Sequence, residues 1–268
     1  MFRDQWGLDF LLYLYVVSLL FSFADLIQPN PRTRKLSSVF LGVVWIGITI
    51  QFISLPMGSG TIQPSLIFDW TLITIALVAK RFFRRDLLSF SLGAIGFGVL
   101  FYYIFFAQPV SDLEHQQLFS KLIMLHIALA FMAYATFIVS GLASAFYLFC
   151  NSQLKKKKWN RWLMRLPSLG HLQWFSYWLI AVGFLLLLIS LPLGVFWAME
   201  TLPHFQIWSD VKMWTSCLVL VFYGYLLYTW LGSPCPGKKL ARLNSVALLL
   251  LLINFIVSKT DWSFHNWS

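Results

Sequence analysis

Eight apolar runs, each long enough to cross a bilayer, constrain this chain more than any other feature. They lie at about 8–27, 36–56, 62–79, 87–107, 122–150, 174–198, 213–232 and 242–258. A helix of roughly 20 apolar residues spans the ~30 Å hydrocarbon layer. Backbone polar groups find no water there, so such runs must satisfy them internally, as helices do. The expectation is an all-α polytopic membrane protein with eight transmembrane helices, a single integral membrane domain over 1–268. No polar stretch reaches the ~50 residues a separate domain needs. Only 11% of residues are charged, against about 25% in a water-soluble domain. The run at 62–79 is the shortest and contains Asp69, and the run at 122–150 is long enough to tilt or to project beyond the bilayer.

The net charge of +10 would suggest nucleic acid in a soluble protein, but its distribution argues otherwise. Sixteen of the 20 basic residues fall in the gaps after runs one, three, five and seven. The other gaps and the ends hold only Arg3, Lys121, Lys212 and Lys259. Basic residues collect on cytoplasmic loops, which puts both termini outside the cytoplasm, in a multi-pass protein of the cell membrane with no nucleic-acid partner. The N-terminus MFRDQWGLDFLL carries one Arg and no small-residue cleavage site after its apolar run, as a retained first helix would. Cys150, Cys217 and Cys235 are too scattered for a disulfide framework or a CxxC redox motif.

One cytoplasmic segment, 151–173, is basic and amphipathic: Lys155 to Lys158 precede Trp159, Trp162, Leu163 and Leu166. An interfacial helix held by anionic lipids explains it, and a docking site for a soluble partner is the alternative. GAIGFG, 93–98, lies inside a run and reads as close helix packing, not a phosphate loop.

Ionisable groups at membrane depth are functional candidates by default. Asp25 sits at the inner end of run one, where interfacial water can solvate it. Asp69 lies deeper, and a Ser, Thr or Trp of a neighbouring helix would satisfy it without any function. His115, His126, His204 and His265 fall on the outer face, with His171 alone on the inner one. Aromatic residues gather on that outer face: Phe196, Trp197, Phe205, Trp208, Trp214, Trp262, Phe264 and Trp267. They form either a headgroup-level belt or a platform for a flat apolar cofactor, for which two imidazoles would complete six-coordinate heme iron. No HExxH, GxSxG or paired carboxylates are found, so we do not expect an enzyme. Transport is a weaker reading, since the runs are not interrupted in corresponding halves.

From about 120 to the end, 120–268, the chain resembles the CcsA/CcmC cytochrome c assembly proteins, most closely their HemX-type branch. LHIALAFMAYATFIVSGLASAFYL, 125–148, resembles the family's LHV-containing helix. GVFWA, 194–198, and WSDVKMW, 208–214, resemble its GxxWA and tryptophan-rich loop, FHNW, 264–267, its closing His-aromatic segment, and GKKLARLN, 237–244, its basic loop before the last helix. The resemblance implies heme as cofactor, His126 and His265 as the two outer-face ligands, and Trp197, Trp208, Asp210, Lys212 and Trp214 around it. The Pro and Glu of the family's WDPKE are absent, and Tyr228 stands where the family carries a membrane-embedded His, a departure that bears on heme relay through the membrane. The HemX-type branch shares these losses, and the role implied for it is to lower the level of glutamyl-tRNA reductase in heme biosynthesis.

Overall fold

The computed structural model of the chain describes residues 6–54, 64–82, 87–106, 121–157, 167–201, 208–232 and 237–258. These form eight helices: α1 Trp6–Ile27, α2 Pro31–Ser54, α3 Pro64–Phe82, α4 Leu87–Phe106, α5 Lys121–Lys155, α6 Leu169–Thr201, α7 Val211–Gly232 and α8 Gly237–Val257. Among the described residues there is no strand. Seven helices are long and apolar enough to cross a membrane. The other, α3, has 19 residues, among them Asp69, Lys80 and Arg81.

Helix starts follow local chemistry. Asn30 caps α2, its Oδ1 accepting the Arg32 N–H at 2.9 Å, with Pro31 in the first helical position, where no N–H is needed. Asp25 accepts from the Asn30 N–H at 2.8 Å and from Arg34 Nε at 3.1 Å. Its charge is therefore met by protein groups. Ser168 precedes α6, its Oγ 2.8 Å from His171 Nδ1. Two sequence expectations shift here. α5 runs on to Lys155, so the basic segment begins as a continuation of that helix; Trp159, Trp162, Leu163 and Leu166 lie outside the described residues. GKKLARLN is not a loop, because its residues form the first two turns of α8.

The chain divides into two compact units, residues 1–117 with 159–167, and residues 118–158 with 168–268. In the first, α1 packs on α2 and α4, and α3 on α2 and α4. Tyr15, Val44, Ile48, Leu72, Ile73, Leu88 and Leu92 are buried there. Two indole donors lock α2 to α3: Trp45 Nε1 donates to Thr74 at 2.8 Å and Trp70 Nε1 to Thr49 at 2.9 Å, with the two rings stacked at 5.6 Å.

In the second unit α5 and α6 make the most extensive pairing, α8 lies against α5 and α7, and α7 against α6. Phe137 and Tyr223 stack at its centre, 3.7 Å apart. Without a hydrophobic drive between helices in lipid, close packing and side-chain hydrogen bonds must specify their association. Two asparagines of α8 do so. Asn244 Nδ2 lies 2.7, 2.9 and 3.1 Å from the hydroxyls of Ser140, Ser144 and Ser176. Asn254 Nδ2 donates to Thr215 and Ser216, while its Oδ1 accepts from Tyr134 at 2.8 Å. Residues such as Val221, Leu252 and Ile256 point outward, as a face against lipid requires.

Candidate functional site

His126 sits in the second turn of α5 and faces α6. Its Nδ1 is 2.8 Å from the Ser190 carbonyl oxygen. A carbonyl only accepts, so Nδ1 carries the proton of the neutral ring and the lone pair is at Nε2. Ser190 adds to the clasp: its Oγ donates to the His126 carbonyl at 3.0 Å and lies 3.1 Å from Nδ1. Ser190 occupies the turn before Pro192, the proline inside α6. Pro192 has no N–H to offer the carbonyl four residues earlier, which loosens the helical ladder at that turn.

Gly194 is one turn beyond Ser190 and lies under the imidazole. A Cβ there would stand 2.6 Å from Cε1, 2.7 Å from Nδ1 and 3.0 Å from Nε2. Such near-equal distances to three ring atoms mean that the ring lies over the Cα of residue 194 at a closeness no larger residue permits. The glycine of GVFWA therefore admits the histidine of the LHI helix.

One turn away, the next residues of the motif close the apolar side. Trp197 is 4% exposed and forms a cluster with Ile123 and Ala198, joined by Ile127 and Met213. Met213 ties α7 to this end of α5 and α6. Trp208 and Trp214 differ from Trp197, being 59% and 55% exposed. Trp214 Nε1 donates to the Trp208 carbonyl at 3.0 Å, and the ring centroids are 6.3 Å apart. Asp210, 2% exposed, accepts the Lys212 N–H at 2.8 Å. It is thereby the cap of α7, while the tautomer of His126 is held by the Ser190 backbone carbonyl.

His265, with His115 and His204, lies outside the described residues, as do Phe205, Trp262, Phe264 and Trp267. His171 is exposed and bonded to Ser168. Tyr228 is 74% exposed, so this position of α7 looks away from the helix interior. Among the described residues no group of three or more His, Cys, Asp or Glu is placed to hold a metal ion. The donor set at His126 suits a heme axial position, where a single neutral imidazole is needed on each face and its second nitrogen donates to a fixed acceptor. Ser190 was not singled out by the sequence. A serine two residues before an in-helix proline was its one sign.

Comparison with known proteins gives the family of the chain. The sequence pattern of a family described as Cytochrome C assembly protein matches residues 59–263, beginning some 60 residues before the stretch whose motifs carry the resemblance. The chain is 34% identical over 262 residues to Protein HemX of Bacillus subtilis (strain 168), covering 95% of each protein. It is 35% identical over 269 residues to Protein HemX of Brevibacillus brevis, covering 98% of each. Cytochrome c biogenesis protein CcsA of Chlamydomonas reinhardtii is 30% identical over 134 residues, 49% of this chain and 36% of that protein. No solved structure matches the chain significantly. The chain is a multi-pass membrane protein that belongs to the cytochrome c assembly protein family.

Proposed function

We propose that this protein binds heme at its outer face, with His126 and His265 as axial ligands, in the service of heme biosynthesis or cytochrome c assembly. The observation that carries this reading is the clasp of His126. A ring whose Nδ1 proton is held by the Ser190 carbonyl, over a glycine that makes room for it, presents Nε2 as the donor in one orientation. Heme, when bound, supplies an iron that accepts two neutral imidazoles. Trp208 and Trp214 offer exposed aromatic faces, and Lys212 is the cation nearest in sequence for the propionates, with Lys121 and Lys259 behind it.

The test is the absorption spectrum of the purified protein titrated with heme. Wild type is expected to give a saturable low-spin spectrum. His126→Ala and His265→Ala each convert it toward high spin or abolish binding, and His171→Ala leaves it unchanged. No saturable binding by wild type would overturn the proposal. A requirement for His115 or His204 in place of His265 would reassign the second ligand.

The proposal includes the topology: all eight helices cross, α3 among them, and both chain ends lie outside, with anionic lipids at the inner surface. A second reading is favoured by Lys155, Lys156 and Lys157, which stand exposed beyond the apolar part of α5. In it, the inner face lowers glutamyl-tRNA reductase without heme transport. Exchanging Lys155 to Lys158 for Arg keeps the charge that lipid reads. An unchanged reductase level removes support for docking through these lysines, and a raised level at normal expression supports it.

A further inference from the structure

The first unit contains two fully buried polar side chains that the heme reading does not use. Tyr15 of α1 and Asp69 of α3 are both 0% exposed, and neither the Tyr15 hydroxyl nor either carboxylate oxygen of Asp69 has a hydrogen-bond partner. Other buried or half-buried polar side chains of this unit are paired: Ser18 donates to the Ser37 carbonyl, Lys80 to the Ser37 hydroxyl, and both indoles to threonines. Asp69 adjoins Trp70 in sequence yet takes no part in the Trp–Thr bonds, so the neighbouring hydroxyls and indoles do not satisfy it.

Both groups are aimed at one place. A Cβ added to Gly96 of α4 would overlap the Tyr15 hydroxyl and stand 2.6 Å from Asp69 Oδ1. Three helices thus bring a phenol, a carboxyl and a bare Cα together, with Phe97 edge-on to Tyr15 at 6.0 Å. Among the described residues no cation reaches the carboxyl. Among the described residues of the unit the only ion pair is Arg34 with Asp25. Lys80 and Arg81 are in the last turn of α3, some 16 Å along the axis from Asp69 at 1.5 Å per residue. Arg32, Arg34 and Lys35 begin α2, and α4 contributes no ionisable group beside Gly96. An uncompensated ion in such surroundings costs several kcal/mol, and three oxygens alone do not make a cation's coordination shell.

We infer that Asp69, with Tyr15 over Gly96, is a proton-binding site in the N-terminal unit, its carboxyl a neutral acid that shares its proton with the Tyr15 hydroxyl through one water. Membrane-embedded carboxyls of this kind serve proton relays. Asp69 lies five residues from the start of α3, about 8 Å along the helix, so the proton has a short way to one end of the unit and exchanges with solvent.

The experiment is infrared spectroscopy of the full-length protein in lipid at neutral pH, without heme, so that failure here is separable from failure of heme binding. The wild type minus Asp69→Asn difference should show a protonated-carboxyl C=O band. That band should shift in D2O and shift again in Tyr15→Phe. Asp69→Glu, which keeps the acid, should move the band instead of removing it, and serves if the Asn variant does not fold. Absence of the band, or its replacement by a carboxylate band that responds to added Na⁺, would overturn the proposal in favour of a cation. A band indifferent to D2O would mean a trapped proton, and one indifferent to Tyr15→Phe would break the pairing; either outcome overturns it.

Discussion

A single methyl group tests the core of the heme reading. Gly194→Ala would place a carbon 2.6–3.0 Å from three atoms of a ring already tied to Ser190 through Nδ1, so the imidazole must swing away. The expected result is at least a ten-fold loss of heme affinity, about 1.4 kcal/mol, with a shift toward high-spin absorption. Gly98→Ala is the control: nothing lies within 4 Å of a Cβ there, and the change should leave the titration as it was. Ser190→Ala should do less than Gly194→Ala. It deletes the hydroxyl bonds but keeps the carbonyl that fixes the tautomer, and one such bond is worth roughly 0.5–1.5 kcal/mol. A spectrum that changes as much in Ser190→Ala as in His126→Ala would place the iron's ligand elsewhere.

At the scale of the elements, Asp210 separates a structural role from a cofactor role. As the cap of α7 its replacement by Ala should cost about 1 kcal/mol of stability, within the 0.5–2 seen for caps, and Asp210→Ser should restore most of it. Thermal unfolding in detergent without heme measures both. Should Asp210→Ala leave the unfolding temperature alone yet weaken heme binding, the carboxylate belongs to the cofactor and not to the helix. That ambiguity shows what a sequence carries. The helices were legible, since runs of spanning length translate directly into α1 to α8, and Asp210 and Trp197 were legible as members of motifs. Their division of labour was not. Trp197 is packed against Ile123, Ala198 and Met213 from three helices, whereas Trp208 and Trp214 stay exposed, and only the crossing of α5, α6 and α7 decides which tryptophan is covered. The contacts of Asn254 and of Ser190 were hidden for the same reason: their partners are 38 to 120 residues away in sequence, beyond what any local pattern reports.

For the whole molecule, the proposed orientation rests on charge and helix count together. Each compact unit contributes four helices, and a chain that crosses four times returns to its starting side. With α3 crossing, the sixteen basic residues in alternate gaps all reach one surface. Were α3 not to cross, the clusters near Lys35 and near Lys155 would fall on opposite sides, against the preference of Lys and Arg for the cytoplasm. The decisive measurement is labelling of whole cells with a membrane-impermeant thiol reagent. Cys150 is buried, so it stays silent in either orientation, and Cys217 is exposed partway along α7, at membrane depth, and should be replaced by Ser. Cys235, in the gap between α7 and α8, then reports the inner face, and a cysteine introduced as His204→Cys reports the outer one. Labelling of residue 204 in intact cells, with Cys235 reacting only after the cells are opened, is the expected pattern. The reverse pattern would turn the protein over and place His126 on the cytoplasmic side, where the same clasp would serve heme from the pathway that makes it instead of heme outside the cell.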